Sequence, residues 1–83
     1  MNLRFLTRPG CHLCDDARPL VLSESARAGL SVIEEDIERS DQLHAQYGLR
    51  IPVLLSETGV VVAEGEITDR KLLRKALKRM KNG

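Results

Sequence analysis

The chain has 83 residues and a formal net charge of +1. We therefore expect one domain over residues 1–83 with a modest core, because chains of this size bury only about two-thirds of their unfolded surface. With no Trp, one Phe and one Tyr, the chain lacks the aromatics on which single-stranded nucleic acids stack, so we expect no nucleic-acid partner. The first apolar run, residues 3–6, is broken by Arg4 and is too short for a signal peptide or a membrane span, so we expect a cytoplasmic protein with no membrane partner.

The first half of the sequence predicts a strand, a helix and a second strand. Residues 3–7 form a short apolar run before a Pro-Gly turn, which indicates a buried strand. In residues 12–28 the apolar side chains recur at helical spacing, and Gly29 is a typical stop signal. Residues 30–37 predict a strand whose acidic end, residues 34–36, emerges into solvent. Such a βαβ unit crosses over right-handed and places its two strands side by side.

The second half predicts a short helix, a β-hairpin and a terminal helix. Ser40 or Asp41 can cap a short helix that ends at Gly48. Two apolar runs, 51–55 and 60–63, flank a turn that contains a glycine, which is typical of a hairpin.

The terminal helix carries the basic residues. Thr68 or Asp69 can cap it. Residues 1–69 hold all twelve acids and six of the thirteen bases, whereas residues 70–83 hold seven bases and no acid. We interpret this basic stripe as a solvated helix face, and we expect residues 81–83 to fray.

The segment Pro9-Gly10-Cys11-His12-Leu13-Cys14 holds the only two cysteines of the chain. Cys11 falls at the predicted helix N-terminus, where unpaired amides and the helix dipole favour a thiolate. Cys14 follows one turn later on the same side, so the two sulfurs can form a disulfide. Closing so short a loop adds only roughly 2 kcal/mol of stability, so reactivity explains the pair better than stability does. The pattern predicts a dithiol switch in a reducing compartment.

Two other interpretations of the cysteines remain open. They could be inert, half-buried thiols. They could also form half of a zinc site, although no second Cys pair or His pair stands at zinc spacing, so completing the site would need His12 or a second subunit. We assign no metal ligand from the sequence.

The element order β-α-β-α-β-β-α, with the Cys pair after the first strand and Ile51-Pro52 opening the third, resembles the thioredoxin superfamily. Within it, the compact form that starts at the Cys strand is similar to glutaredoxin and the small glutaredoxin-like proteins. This resemblance covers nearly the whole chain. It implies a thioredoxin-like α/β fold, with a four-stranded mixed sheet in the order 2-1-3-4 and three helices.

The resemblance also implies a function and assigns roles to residues. The chain would be a monomeric thiol-disulfide oxidoreductase without a bound cofactor, acting on a disulfide-containing protein or on glutathione, with glutathione as a candidate electron donor. Cys11 matches the nucleophilic cysteine and Cys14 the resolving one. Pro52 matches the cis-proline that faces the dithiol, where the Ile51 backbone offers its amide and carbonyl to a bound peptide or glutathione.

Four further residues are candidate contacts for substrate or glutathione. Arg8 occupies the place of a glutaredoxin lysine that holds a glutathione carboxylate and favours the thiolate. His12, when protonated, would also stabilise the Cys11 thiolate. Thr68 and Asp69 lie in a segment that partly matches the one with which glutaredoxins hold the γ-glutamyl end. The rival to this enzyme is a non-catalytic thioredoxin-fold module that binds a metal or a partner protein through the same Cys pair.

Overall fold

The computed structural model describes residues 1–82, which form four strands, three α-helices and one short 3₁₀ helix. In chain order these are β1 Asn2–Thr7, α1 His12–Arg27, β2 Ser31–Asp36, the 3₁₀ helix Ile37–Arg39, α2 Asp41–Tyr47, β3 Val53–Leu55, β4 Val61–Glu64 and α3 Arg70–Asn82. This is the predicted element order with one 3₁₀ turn added after β2. Within residues 1–82, no helix combines the length and the apolar character that crossing a membrane requires.

The four strands form one mixed sheet in the order β2-β1-β3-β4, as predicted. β1 and β2 are parallel, since α1 connects them as a crossover. β3 runs antiparallel to β1, and β4 antiparallel to β3. The central strand β1 therefore has a neighbour on each side, and its carboxyl end leads directly into the segment that holds the cysteines.

Both faces of the sheet are covered because the buried strands alternate their apolar side chains. Leu3 and Phe5 of β1 and Leu54 of β3 face the side on which α1 and α3 pack, whereas Leu6 faces the other side. The larger core contains Leu3, Phe5, Ala17, Val21, Leu30, Leu54, Ile67, Leu73 and Leu77. The smaller core, beneath α2 and the 3₁₀ helix, contains Leu6, Ile37, Tyr47, Val53 and Leu55. The segment that holds the cysteines thus starts from a strand that is packed on both faces.

Two element ends differ from the prediction for identifiable reasons. β3 begins at Val53 rather than at residue 51, because Pro52 has no N–H and the Ile51 N–H donates to the Tyr47 carbonyl at 3.1 Å. α3 continues to Asn82, and Lys81 Nζ donates to the Ala28 carbonyl at 2.6 Å. The expectation of fraying was therefore wrong for residues 81 and 82, and residue 83 lies outside the described residues.

The sequence predicted that the acidic end of β2 emerges into solvent, but its carboxylates form hydrogen bonds within the chain. Glu35 accepts two hydrogen bonds from the Arg4 guanidinium on β1. Glu34 is bound by Arg18 on α1, and Asp36 Oδ1 accepts a hydrogen bond from the Glu38 amide at 2.9 Å. These acids tie β2 to its neighbours.

The basic stripe of α3 is also partly neutralised within the chain. Arg70 and Arg74 bind Glu24 of α1, at 2.6 Å (Nη1–Oε2) and 2.8 Å (Nε–Oε1), and the Glu24 side chain is only 2 % exposed. Hydrogen bonds from Arg74 and then Arg70 lower the pKa of the Glu24 carboxyl from 4.5 to about 2. Both arginine side chains remain about half exposed, at 49 % and 46 %, so the stripe is a solvated face in which two members also pair with Glu24.

Candidate redox site at the start of the first helix

Cys11 is the residue that caps the N-terminus of α1. Gly10 precedes it with φ +78°, a left-handed conformation that lets the chain turn from β1 into the helix. Cys11 itself is extended, with φ −92° and ψ 106°, and its Sγ accepts a hydrogen bond from the Cys14 amide at 3.1 Å. The amide of Asp15 donates to the Cys11 carbonyl at 3.1 Å, the first bond of the helix. The cysteine sulfur therefore takes the place that a serine or aspartate oxygen commonly occupies at a helix start.

The two cysteines are joined as a disulfide, which confirms that the pair is within bonding reach. Their Cα atoms are 5.2 Å apart, within the usual range for a disulfide. The two sulfurs differ in access: Cys14 is 0 % exposed, whereas Cys11 is half-buried. An incoming reactant can therefore reach Cys11 but not Cys14.

Pro52 lies at the same end of the sheet as the cysteines. In the β1–β3 pairing Leu6 is opposite Val53, so the next step of the register brings Pro52 beside Thr7, the last residue of β1. Pro52 is buried, and the Ile51–Pro52 peptide bond is cis. The structure thus contains the cis-proline that the resemblance implied, next to the strand end that lies four residues before Cys11 in the sequence.

The backbone around Pro52 is largely committed to bonds within the chain. The Ile51 N–H, expected to be free for a ligand, donates to the Tyr47 carbonyl at 3.1 Å. The Pro52 carbonyl accepts from the Gly65 N–H at 2.8 Å. A peptide or glutathione molecule bound here would have to displace the Ile51–Tyr47 bond to use the Ile51 amide.

Thr68 and Asp69 follow Gly65 along the chain but have different surroundings from those the resemblance implied. Thr68 is exposed. Asp69 Oδ1 accepts hydrogen bonds from the Lys71 and Leu72 amides at 2.9 and 3.2 Å, so this carboxylate caps α3, as one of the two sequence alternatives had it. Contact of either side chain with glutathione stays a prediction.

Arg8 and His12 flank Cys11 in sequence, and both are exposed. Arg8 lines a cleft of about 530 Å³ that runs from the end of β1 to the end of β2. The same cleft is bordered by Thr7, Arg18 and Glu34. A contact of Arg8 or His12 with substrate likewise stays a prediction.

A network beside this cleft was not identified from the sequence, and we name it the Arg18 clamp: Thr7, Asp15, Arg18 and Glu34. Arg18 donates to both carboxylate oxygens of Glu34 at 2.8 Å and to Asp15 at 2.9 Å. The buried Thr7 hydroxyl donates to Glu34 Oε2 at 2.9 Å. The clamp joins the end of β1, the first two turns of α1 and β2, next to the turn that presents Cys11.

The clamp also changes the electrostatics next to the thiol. Hydrogen bonds from Arg18, then from Thr7, lower the pKa of the Glu34 carboxyl below 4.5, although burial opposes the shift. Asp15, in the first turn of α1, shares the Arg18 guanidinium with Glu34, so its negative charge next to Cys11 is partly offset. Only the three-residue spacing of Asp15 and Arg18 was readable from sequence, since Glu34 is 16 residues from Arg18.

The metal alternative gains no further ligand from the described part of the chain. Residues 1–82 contain no group of three or more His, Cys, Asp or Glu side chains close enough to hold one metal ion.

Comparison with known proteins places the chain in a family. The model of the glutaredoxin-like domain (DUF836) matches residues 2–79. The chain therefore belongs to the glutaredoxin-like family, and its fold is thioredoxin-like, as the sequence indicated. No curated protein sequence matches it.

Solved structures support this assignment at two levels. The X-ray structure of target protein XcR50 from X. campestris is 32 % identical, with a TM-score of 0.78 over 93 % of this chain and 96 % of that one. Its solution structure gives 34 % identity and a TM-score of 0.71 over 95 % of both chains. Thioredoxin 1 from Thermosipho africanus has a TM-score of 0.71 over 99 % of this chain and 96 % of that one. Since its identity is only 10 %, it shows the fold alone.

Proposed function

We propose that the chain is a thiol-disulfide oxidoreductase in which Cys11 is the nucleophile and Cys14 the resolving thiol. The observation that carries this proposal is the asymmetry of the pair: a half-buried Cys11 at the start of α1 is bonded to a fully buried Cys14. A structural staple would not need one accessible sulfur at a helix N-terminus.

The reaction starts from the reduced dithiol. The Cys11 thiolate attacks one sulfur of a substrate disulfide, forming a mixed disulfide and releasing the first substrate thiolate, which takes a proton from water. Cys14 loses its proton and attacks Cys11 Sγ, which breaks the mixed disulfide and releases the second substrate thiol. The substrate gains two electrons, and the chain is left with the Cys11–Cys14 disulfide.

The N-terminus of α1 supports the first step. When Cys11 is a thiolate, the Cys14 N–H that now lies 3.1 Å from its sulfur would donate to a full negative charge, and such bonds are about twice as strong as neutral ones. The helix dipole acts in the same direction. With these features the reduction potential should lie between about −270 and −200 mV, the range spanned by thioredoxin and glutaredoxins.

We further propose that the substrate is a protein disulfide or a glutathione mixed disulfide. Two molecules of a thiol such as glutathione would then reduce the Cys11–Cys14 disulfide and so regenerate the dithiol. In this proposal the chain acts as a monomer in a reducing cytoplasm. Arg8, His12, Ile51, Pro52, Thr68 and Asp69 are the candidate contacts. Because the Ile51 amide is already bonded to Tyr47, we place the first contact with substrate at the exposed Arg8 and His12 side.

The test compares the wild type with Cys11→Ser and Cys14→Ser. Reduction of insulin and of hydroxyethyl disulfide should be abolished in Cys11→Ser. Cys14→Ser should instead accumulate a mixed disulfide at Cys11, visible by mass spectrometry. Running the assay with glutathione and with thioredoxin reductase identifies the electron donor. Equal rates for the wild type and Cys11→Ser would refute the enzyme, and zinc or iron in the purified protein would favour the binding-module rival.

A further inference from the structure

The end of the molecule far from the cysteines carries basic side chains that form no ion pair within residues 1–82. α3 has seven bases and no acid in residues 70–82. Within the described residues, Glu24 forms ion pairs with Arg70 and Arg74, but no ion pair involves the remaining five, which are Lys71, Lys75, Lys78, Arg79 and Lys81; of these, Lys81 donates to the Ala28 carbonyl. Arg27, at the last turn of α1, is likewise without an ion pair among residues 1–82.

This arrangement disfavours the helix that carries it. Like charges four residues apart, such as Lys71 with Lys75 and Lys75 with Arg79, destabilise a helix. The first turn of α3 itself has no acidic residue, although the Asp69 carboxylate caps the helix and Glu24 pairs with Arg70. The repulsion among the remaining bases is not relieved by ion pairs within residues 1–82, and such a local conflict is typical of a functional surface.

Three of the bases without an ion pair, Arg27, Lys78 and Lys81, line a groove between the ends of α1 and α3. The groove has a volume of about 250 Å³, and its basic lining residues are Arg27, Arg74, Lys78 and Lys81. The half-buried Ala28 contributes an apolar floor, whereas Leu77, which also lines the groove, is only 1 % exposed. Glu24 also borders it, so the formal charge of the lining is four positive minus one negative, or +3. We name it the basic groove.

We propose that the basic groove binds an acidic, extended segment of a partner protein, with carboxylates against its basic side chains and an apolar side chain on the Ala28 floor. Charge complementarity selects an anionic partner. The apolar floor favours a peptide, since the phosphate backbone of a nucleic acid would leave the floor unused. A membrane surface is disfavoured because the apolar side of α3, including Leu73 and Leu77, is already buried in the core.

The position of the groove is compatible with simultaneous redox chemistry. α1 has 16 residues, so its two ends are about 24 Å apart at 1.5 Å per residue. Cys11 starts this helix and Arg27 ends it. A partner held at the groove would therefore leave Cys11 open to reactants, and binding does not depend on the thiol activity proposed above.

The test measures the binding of a fluorescein-labelled peptide, composed of glutamates around one central leucine, by fluorescence anisotropy at low salt. The double variant Arg27→Glu/Lys78→Glu removes two groove charges. The matched control Arg39→Glu/Lys71→Glu makes the same chemical change at exposed positions outside the groove. We expect saturable binding that weakens at least about tenfold in the first variant and less than about twofold in the control. Circular dichroism checks that each variant is folded. The neutral variant Arg27→Gln/Lys78→Gln should lose less binding than the Glu variant does, as expected when contacts and not the fold are lost.

Three outcomes would overturn the proposal. The first is equal weakening in the groove variant and the control, which indicates unspecific charge attraction. The second is undiminished affinity when glutamine replaces the central leucine of the peptide, which shows that the floor is not used. The third is tighter binding of duplex DNA or of phosphatidylserine-containing vesicles through Arg27 and Lys78, which would assign the groove to a different class of partner. Absence of any saturable peptide binding would also refute it.

Discussion

Replacing Arg18 with Gln should loosen the first turns of α1 from the sheet, because the Arg18 clamp is the polar connection between this helix and β2. The change removes the paired hydrogen bonds to Glu34 and the bond to Asp15. It also leaves Glu34, which the buried Thr7 hydroxyl still contacts, without its positive partner. The part of the fold that presents Cys11 should therefore become less stable.

The expected size follows from the exposure of the two side chains, which is 33 % for Arg18 and 39 % for Glu34. Exposed ion pairs are worth about 0.2–1 kcal/mol, and the two-pronged geometry places this one at the upper end. We expect a coupling energy of about 1 kcal/mol between Arg18 and Glu34. In a domain of this size that lowers Tm by about 4–8 °C.

The coupling should depend on pH in one direction. The pKa of the Glu34 carboxyl is lowered in the folded chain below its ordinary 4.5. The stabilisation is therefore fully present at a pH above the pKa that the Glu34 carboxyl has in the unfolded chain. It is lost as the pH falls through the pKa that this carboxyl has in the folded chain. A double-mutant cycle with Arg18→Gln and Glu34→Gln in urea, measured at neutral and strongly acidic pH, gives the coupling under both conditions.

Hydrogen exchange localises the effect. The Asp15 amide, bonded to the Cys11 carbonyl at 3.1 Å, should exchange faster in Arg18→Gln. The matched control Arg4→Gln breaks the Arg4–Glu35 pair between β1 and β2 and should leave this amide unchanged. A coupling near zero at neutral pH, or equal exchange in the two variants, would contradict the reasoning.

Two further predictions concern stability. In thermal melting, Glu24→Gln should lower Tm more than the exposed control Glu38→Gln does. Since the pKa of Glu24 is lowered from 4.5 to about 2, its contribution to stability should disappear as the pH falls from about 4.5 towards 2. Equal Tm values for the two variants would contradict this. Leu77→Ala should cost about 2–5 kcal/mol in urea unfolding because Leu77 is 1 % exposed. Leu72→Ala on the same helix, 64 % exposed, should cost less than about 0.5 kcal/mol, and similar losses would show that α3 does not pack as described.

The elements that the sequence predicted are those with strong local signals. The apolar runs of β1 and β3, the Cys pair at a helix start and the Ile51–Pro52 step are each contained in a few consecutive residues, so their patterns are readable. Ser40, whose hydroxyl accepts from the Leu43 amide at 3.2 Å, was likewise foreseeable as a cap.

The features that were missed depend on contacts between distant parts of the chain. Glu24 lies 46 and 50 residues from its two arginine partners, so nothing local distinguished it from a solvated helix residue. The Ile51 amide is occupied because α2 ends close enough for the Tyr47 carbonyl to accept its hydrogen bond. Side-chain packing and loop geometry decide such contacts, and periodicity carries no information about either.

The measurement that tests the proposed chemistry most directly is the alkylation of the reduced protein by iodoacetamide, read at each cysteine by mass spectrometry as a function of pH. Cys11 should react first at every pH, and at neutral pH at least about tenfold faster than free cysteine if the helix start stabilises its thiolate by about 1.4 kcal/mol. Cys14 should react only after denaturation, because it is 0 % exposed. Equal rates at the two cysteines, or a Cys11 no more reactive than free cysteine, would contradict the account.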